Sequence, residues 1–213
     1  MPTKERVLDN LAFIANQGLI AAIAWHLLIA TVFIALLLGW RPTKRSAALL
    51  LVVPLVSVSI AAATHGNSFN ALVCGLSALT LLGLGAPLPS TRAARGSRVE
   101  VWAGAFGIAV GWCYPHFLTG HSAVVYTVAA PVGLLPCPTL FAVIGFSLLA
   151  GGFHSRAWST ALAALGLFYG VFGAFRLEVW LDLALVAFAL VLLGGGWLPH
   201  RTLAANVEVS RAP

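Results

Sequence analysis

Apolar runs about as long as a bilayer crossing recur along this chain, and short loops rich in basic residues separate them. That pattern leaves few folds open. A bilayer core of about 30 Å takes about 20 apolar residues in a helix. Backbone N–H and C=O groups inside it must be satisfied within the protein. Only 8% of the 213 residues are charged and mean hydropathy is +0.96, whereas soluble domains carry about 25% charged residues. The sequence predicts an all-α polytopic membrane bundle, with helices over 11–39, 47–64, 69–87, 100–118, 137–153, 157–174 and 179–198. No soluble domain fits between them. The whole of 1–213 reads as one integral membrane domain with a short cytoplasmic tail from about 200. Glu5 and Asp9 fall where a signal peptide would be basic, and 11–39 is too long for its apolar core. The first helix is therefore expected to be retained.

The basic residues report topology. Arg41, Lys44, Arg45, Arg92, Arg95, Arg98, Arg156, Arg201 and Arg211 fall on one side of a seven-helix arrangement, and Lys4, Arg6 and Arg176 on the other. Nine against three places the N-terminus outside and the C-terminus in the cytoplasm of an inner membrane. The net charge of +6 implies weak attraction to anionic headgroups. No basic stripe with interleaved aromatics is present, so nucleic acid is not an expected partner. The bilayer is the expected surround, with further membrane subunits or a homo-oligomer as candidate partners.

One stretch breaks the apolar pattern. Residues 113–139 hold two of the three cysteines, two of the six histidines and four of the eleven prolines, with no charged residue. Within it, 122–135 is apolar but too short to span. Counted as an eighth helix, it would reduce the basic split to seven against five. It reads as an outer-side re-entrant or interfacial segment broken by Pro131 and Pro136.

The chemistry-bearing side chains gather toward the same outer side. His65, Asn67 and Asn70 sit at the turn between the second and third helices, with Cys74 one turn below. Cys113 and His116 end the fourth helix and His121 follows. Cys137, between Pro136 and Pro138, is placed as an N-cap, where the helix dipole stabilises a thiolate. Cys and His donors suit Cu(I) or Zn(II), although no paired C-x2-C occurs. A small cap fixing a chain reversal, and a Cys113–Cys137 disulfide with Cys74 as substitute, are the competing readings. Glu178 and Asp182 are four apart and expected on one helix face, Glu178 pairing with Arg176 at the surface. Asp182, deeper, needs a partner; His65, His116, His121 and Asn70 are the candidates.

Gly104, Gly107 and Gly111, and Gly166, Gly170 and Gly173, have the spacing of close helix contacts. His26 stands near mid-membrane without a second histidine at its depth, so heme is not expected. Nucleotide loops, nucleophile elbows and H-E-x-x-H zinc motifs are absent.

Tyr114-Pro115, Gly120-His121 and the run Pro136-Cys137-Pro138-Thr139 resemble a family of bacterial polytopic membrane proteins, a domain of unknown function with Tyr-Pro, Gly-His and Pro-Cys-Pro-Thr motifs. His65, Asn70 and Asp182 are similar to further positions of that pattern. The likeness covers about 60–190. It implies the same fold and site location and no particular activity.

The expected function is therefore non-enzymatic. An outer-facing pocket formed by His65, Asn70, Cys113, His116, His121, Cys137 and Asp182 would bind a small ligand or soft transition-metal ion for transport, sensing or delivery. A ligand-free structural subunit of a membrane complex is the alternative, and a membrane redox or hydrolytic enzyme the third class.

Overall fold

The computed structural model describes residues 3–120 and 122–197. Among them the regular elements are helical: α1 (Lys4–Gln17), α2 (Leu19–Leu37), α3 (Lys44–Thr64), α4 (Ser68–Gly85), α5 (Arg98–Trp112), α6 (Tyr126–Ala129), α7 (Pro136–Leu149), α8 (Arg156–Val171) and α9 (Asp182–Trp197). Short 3-10 turns cover Ala123–Val125 and Gly151–His154, and a π turn, Phe172–Arg176, extends α8. Four helices are long and apolar enough to cross a membrane: α2, α3, α4, and α8 with its π turn. The tail from 200 lies outside the described residues.

The expected helix over 11–39 is two helices. Thr3 caps α1 by accepting from the Arg6 N–H, which draws the charged N-terminal segment into helix. The break falls at Gly18, where the Leu134 side chain occupies the space a Cβ would need. The expected 100–118 helix ends at Trp112. Cys113 is its C-cap, and Pro115 bars a further turn by restricting the residue before it. The last helix starts at Asp182 rather than 179. Glu178 has φ +60°, so it and Asp182 do not share a helix face, and it pairs with Lys4.

At the centre stands α7. All but Cys137, Phe146 and Leu149 of its fourteen residues are buried, as suits a helix that is apolar all round. It packs on α5, α3, α8 and α9. Its contact with α5 depends on glycine: a Cβ added at Gly104 would lie 2.6 Å from the Gly145 carbonyl oxygen, and one at Gly111 2.8 Å from that of Pro138. Gly166 and Gly170 bring α8 equally close to Ala189 and Val186 of α9. Both glycine series thus serve helix contacts.

The chain before α7 is not a spanning helix. After the single turn α6, residues 130–135 run without regular structure and are buried throughout. Buried irregular backbone must find its hydrogen bonds inside the protein. Here the Leu135 N–H donates to the Pro131 carbonyl at 3.0 Å and the Gly133 N–H to the Thr139 hydroxyl at 2.8 Å. Thr139 in turn donates to the Leu135 carbonyl at 2.6 Å. Proline at the first position of α7 moves the N-cap to Leu135, and Cys137 is the second helical residue rather than the cap. Two prolines, Pro136 and Pro138, remove two of the N–H groups that a helix start leaves unpaired.

Basic loops meet at one end of the bundle. The Lys44 N–H donates to Thr91, that of Ala93 to Pro42, and that of Gly96 to Leu149. Lys4, Arg6 and Arg176 lie at the far end, beside the pocket described below.

Overpacking at these contacts should cost about 1–3 kcal/mol each. Gly104→Leu and Gly170→Leu are expected to lower the thermal midpoint in detergent. Gly83→Ala, which meets nothing within 4 Å, should leave it unchanged or raise it by the equivalent of about 0.5–1 kcal/mol.

Candidate ligand pocket

At the far end, α1, the α3–α4 turn, α7 and α8 enclose a cavity of about 590 Å³. Its rim is stitched by asparagines. Asn10 of α1 donates to the His65 carbonyl at 3.2 Å and accepts from the Asn67 amide at 2.8 Å. Asn67 caps α4 by accepting from the Asn70 N–H at 3.1 Å. His65 ends α3, with Nδ1 2.7 Å from the Ala61 carbonyl oxygen and its ring edge-on to Phe13.

Deeper in, Asn70 is 7% exposed. Its side-chain oxygen accepts from the Tyr169 hydroxyl at 3.1 Å; its amide nitrogen has no hydrogen-bond partner among the described residues and lines the cavity. The Tyr169 hydroxyl also lies 3.5 Å from the Cys74 sulfur. Cys137, half-buried at the start of α7, closes the cavity beside them. Arg6 and Arg176 complete the lining, in which no carboxylate occurs among the described residues.

Beneath Cys137, and interacting with its thiol, lies the Asp182 carboxyl, 1% exposed. Among the described residues its hydroxyl partner is Tyr114, donating at 2.8 Å, and not His65, His116 or Asn70. Gly173 in the π turn admits this carboxyl: a Cβ there would collide with it. A π turn widens the helix by one residue, and the extra residue brings Gly173 opposite the start of α9.

Of the residues singled out in the sequence, His65, Asn70 and Cys137 line the cavity and Asp182 lies directly below it. Cys113 is exposed. His116 stands between the Tyr114 and Phe117 rings, where burial pushes its imidazole below the ordinary value. The two therefore form no ligand pair. His121 lies outside the described residues. All three cysteines are free, so the disulfide reading does not hold. Among the described residues no three His, Cys, Asp or Glu side chains converge as a metal-ion ligand set. His26 spends both ring nitrogens on backbone, 2.9 Å from the Ala22 and Trp112 carbonyl oxygens.

Tyr114, Tyr169, Asn10 and Gly173 are the participants that sequence reasoning missed. A signal for the first two was present: beside twelve phenylalanines the chain keeps three tyrosines, and each hydroxyl has an interior partner, Tyr126 bonding Leu118. In so apolar a chain, choosing tyrosine over phenylalanine marks a required hydroxyl.

Comparison with protein-family models, with curated proteins and with solved structures finds no match to this chain. The functional reading rests on the geometry alone.

The thiols should differ in reactivity in the order of their exposure. A maleimide reagent is expected to label Cys113 first, Cys137 more slowly through the cavity, and Cys74 only on unfolding, read by mass spectrometry of peptides. Gly173→Ala should displace the Asp182 carboxyl from Tyr114 and cost about 1–3 kcal/mol, the scale for a buried polar group left unpaired. Tyr114→Phe should cost a similar amount, and the two losses should not add if they act on one hydrogen bond. Thermal melts of the single and double variants check this.

Proposed function

We propose that this is a multi-pass inner-membrane protein whose far-end cavity opens outward and binds a small ligand carrying an anionic group. In this reading the membrane is crossed seven times. The first crossing is α1–α2, broken at Gly18, and 122–135 enters from the outer side and returns without spanning. The N-terminus is outside and the tail cytoplasmic. The basic loops gathered at one end support that orientation through the positive-inside rule. The likeness to a family of bacterial membrane proteins sharing the Pro-Cys-Pro-Thr run is part of the same proposal.

The observation that carries the reading is a cavity lined by Asn70, Arg6 and Arg176, with no carboxylate among its described residues. An acceptor group on the ligand would pair with the Asn70 amide donor. The start of α7 adds its positive dipole end, and Arg6 and Arg176 add charge at the mouth. Asp182 lies behind the Cys137 thiol and already accepts from Tyr114. The hydrogen-bonded layer of Tyr114, Asp182, Cys74 and Tyr169 serves as a lock between helices, and the layer above it as the binding site. A soft metal ion has less support, because no three-ligand set is present among the described residues.

Detergent-purified protein titrated with inorganic phosphate, sulfate and short carboxylates should show a rising thermal midpoint for at least one. At an anion concentration of about 100 times Kd the stabilisation would be about 2.7 kcal/mol. Arg6→Gln, an exposed position, should weaken the effect while leaving the unliganded midpoint in place. Absence of any anion effect, together with stoichiometric Cu(I) binding lost in Cys137→Ser, would overturn this reading in favour of the metal.

A further inference from the structure

Helix α2 joins the bundle through one half only. Near its start and middle, Gly18 meets Leu134 and Trp25 donates to the Ser57 hydroxyl at 3.0 Å. The Trp25 ring also fills the place of a Cβ at Gly133, and His26 reaches Trp112. Its chief helix contacts are with α6 and α1. Beyond His26 no side chain of α2 hydrogen-bonds another helix among the described residues. Only 17% of α2 is buried, against 56% of α8.

Past Ile29, which packs on Val132 and Ala142, α2 stands over a cleft of about 500 Å³. One face of α2, from Trp25 through Val32 to Leu37, forms one wall, with Trp40 just past its end; α3 and α7 form the other, with Leu51 and Phe146 among the lining residues. The helical wall from Trp25 to Leu37 is about 18 Å long at 1.5 Å per residue. That exceeds half of a hydrocarbon core of about 30 Å. The walls are apolar throughout, and the polar lining is confined to the end where the basic loops meet. There Arg41 and Arg95, both exposed, stand at the mouth.

Such a cleft inside a bilayer is filled by chain-like hydrocarbon, and two guanidinium groups at its mouth select what heads that chain. Arginine forks match phosphate oxygens. We propose that the cleft between α2 and the α3–α7 wall holds one acyl chain of an anionic glycerophospholipid, with the headgroup phosphate between Arg41 and Arg95. The site is separate from the far-end cavity and does not depend on what binds there. It makes lipid a structural partner of α2, supplying the packing that protein does not.

Native mass spectrometry of delipidated full-length protein, titrated with phosphatidylglycerol and with phosphatidylcholine, tests this. Phosphatidylglycerol is expected to bind with a stoichiometry of one and about tenfold more tightly, the scale of one to two basic residues at a membrane surface. The double variant Arg41→Gln/Arg95→Gln should lose the headgroup preference. Val32→Trp, which fills the cleft from the α2 side, should lose the bound lipid with either headgroup. Both sets of changes lie away from the buried core, and size-exclusion profiles report whether each variant remains folded. Equal retention of both lipids by wild type, or retention unchanged in both variants, would overturn the proposal. So would a lipid-free dimer in which a second copy covers α2.

Discussion

A helix that begins in the interior governs this structure. The first turn of α7 lies among other helices, and a helix start carries donors that water normally satisfies. Pro136 and Pro138 delete two of those donors. Thr139 turns its hydroxyl back to hold the Gly133 N–H and the Leu135 carbonyl. With its start so closed, α7 can be surrounded: α5 approaches over glycine, and α8 and α9 close on its other sides. The irregular run of 130–135 is tolerated for the same reason, because its polar groups are spent within the protein.

Two layers of polar side chains follow from that placement. The lower one, Tyr114 with Asp182 and Tyr169 with Cys74, is consumed by internal bonds and ties together segments far apart in the chain. The upper one, Asn10, Asn67 and Asn70, lines the cavity together with Arg6 and Arg176. Cys137 stands at the boundary, touching the carboxyl below and the cavity above.

Much of the helical order was legible because hydropathy alone sets it. Six of the seven expected helices recur with shifted ends, and Pro115 and Gly18 show why the ends moved: each is a local stereochemical stop inside an apolar run. That His65, Asn70, Cys137 and Asp182 gather at one end of the bundle was legible too, since they are polar in apolar surroundings. Their partners were not. Tyr114 and Asp182 are 68 residues apart and Asn70 and Tyr169 are 99 apart, and no periodicity encodes which helix faces which. The π turn that lets Gly173 admit a carboxyl was equally hidden, because a single inserted residue leaves hydropathy unchanged. Cys113 and His116 misled for the opposite reason: their spacing in sequence suggested a ligand pair that the turn after α5 separates.

The one-sided attachment of α2 also bears on how the chain is made. Apart from Ser57 of α3, the partners of α2 come late in the sequence: Trp112 is 86 residues beyond His26, and Leu134 and Gly133 follow further on. During synthesis α2 is therefore complete long before most of the surfaces it docks on exist. It must wait as a lone apolar helix in lipid, and its docking belongs to the closing steps of assembly, after α7 has found its place. A span that waits in lipid must be stable there unaided, and the apolar circumference of α2 suits it to that; its first polar contact, Trp25 with Ser57, is to the helix made next.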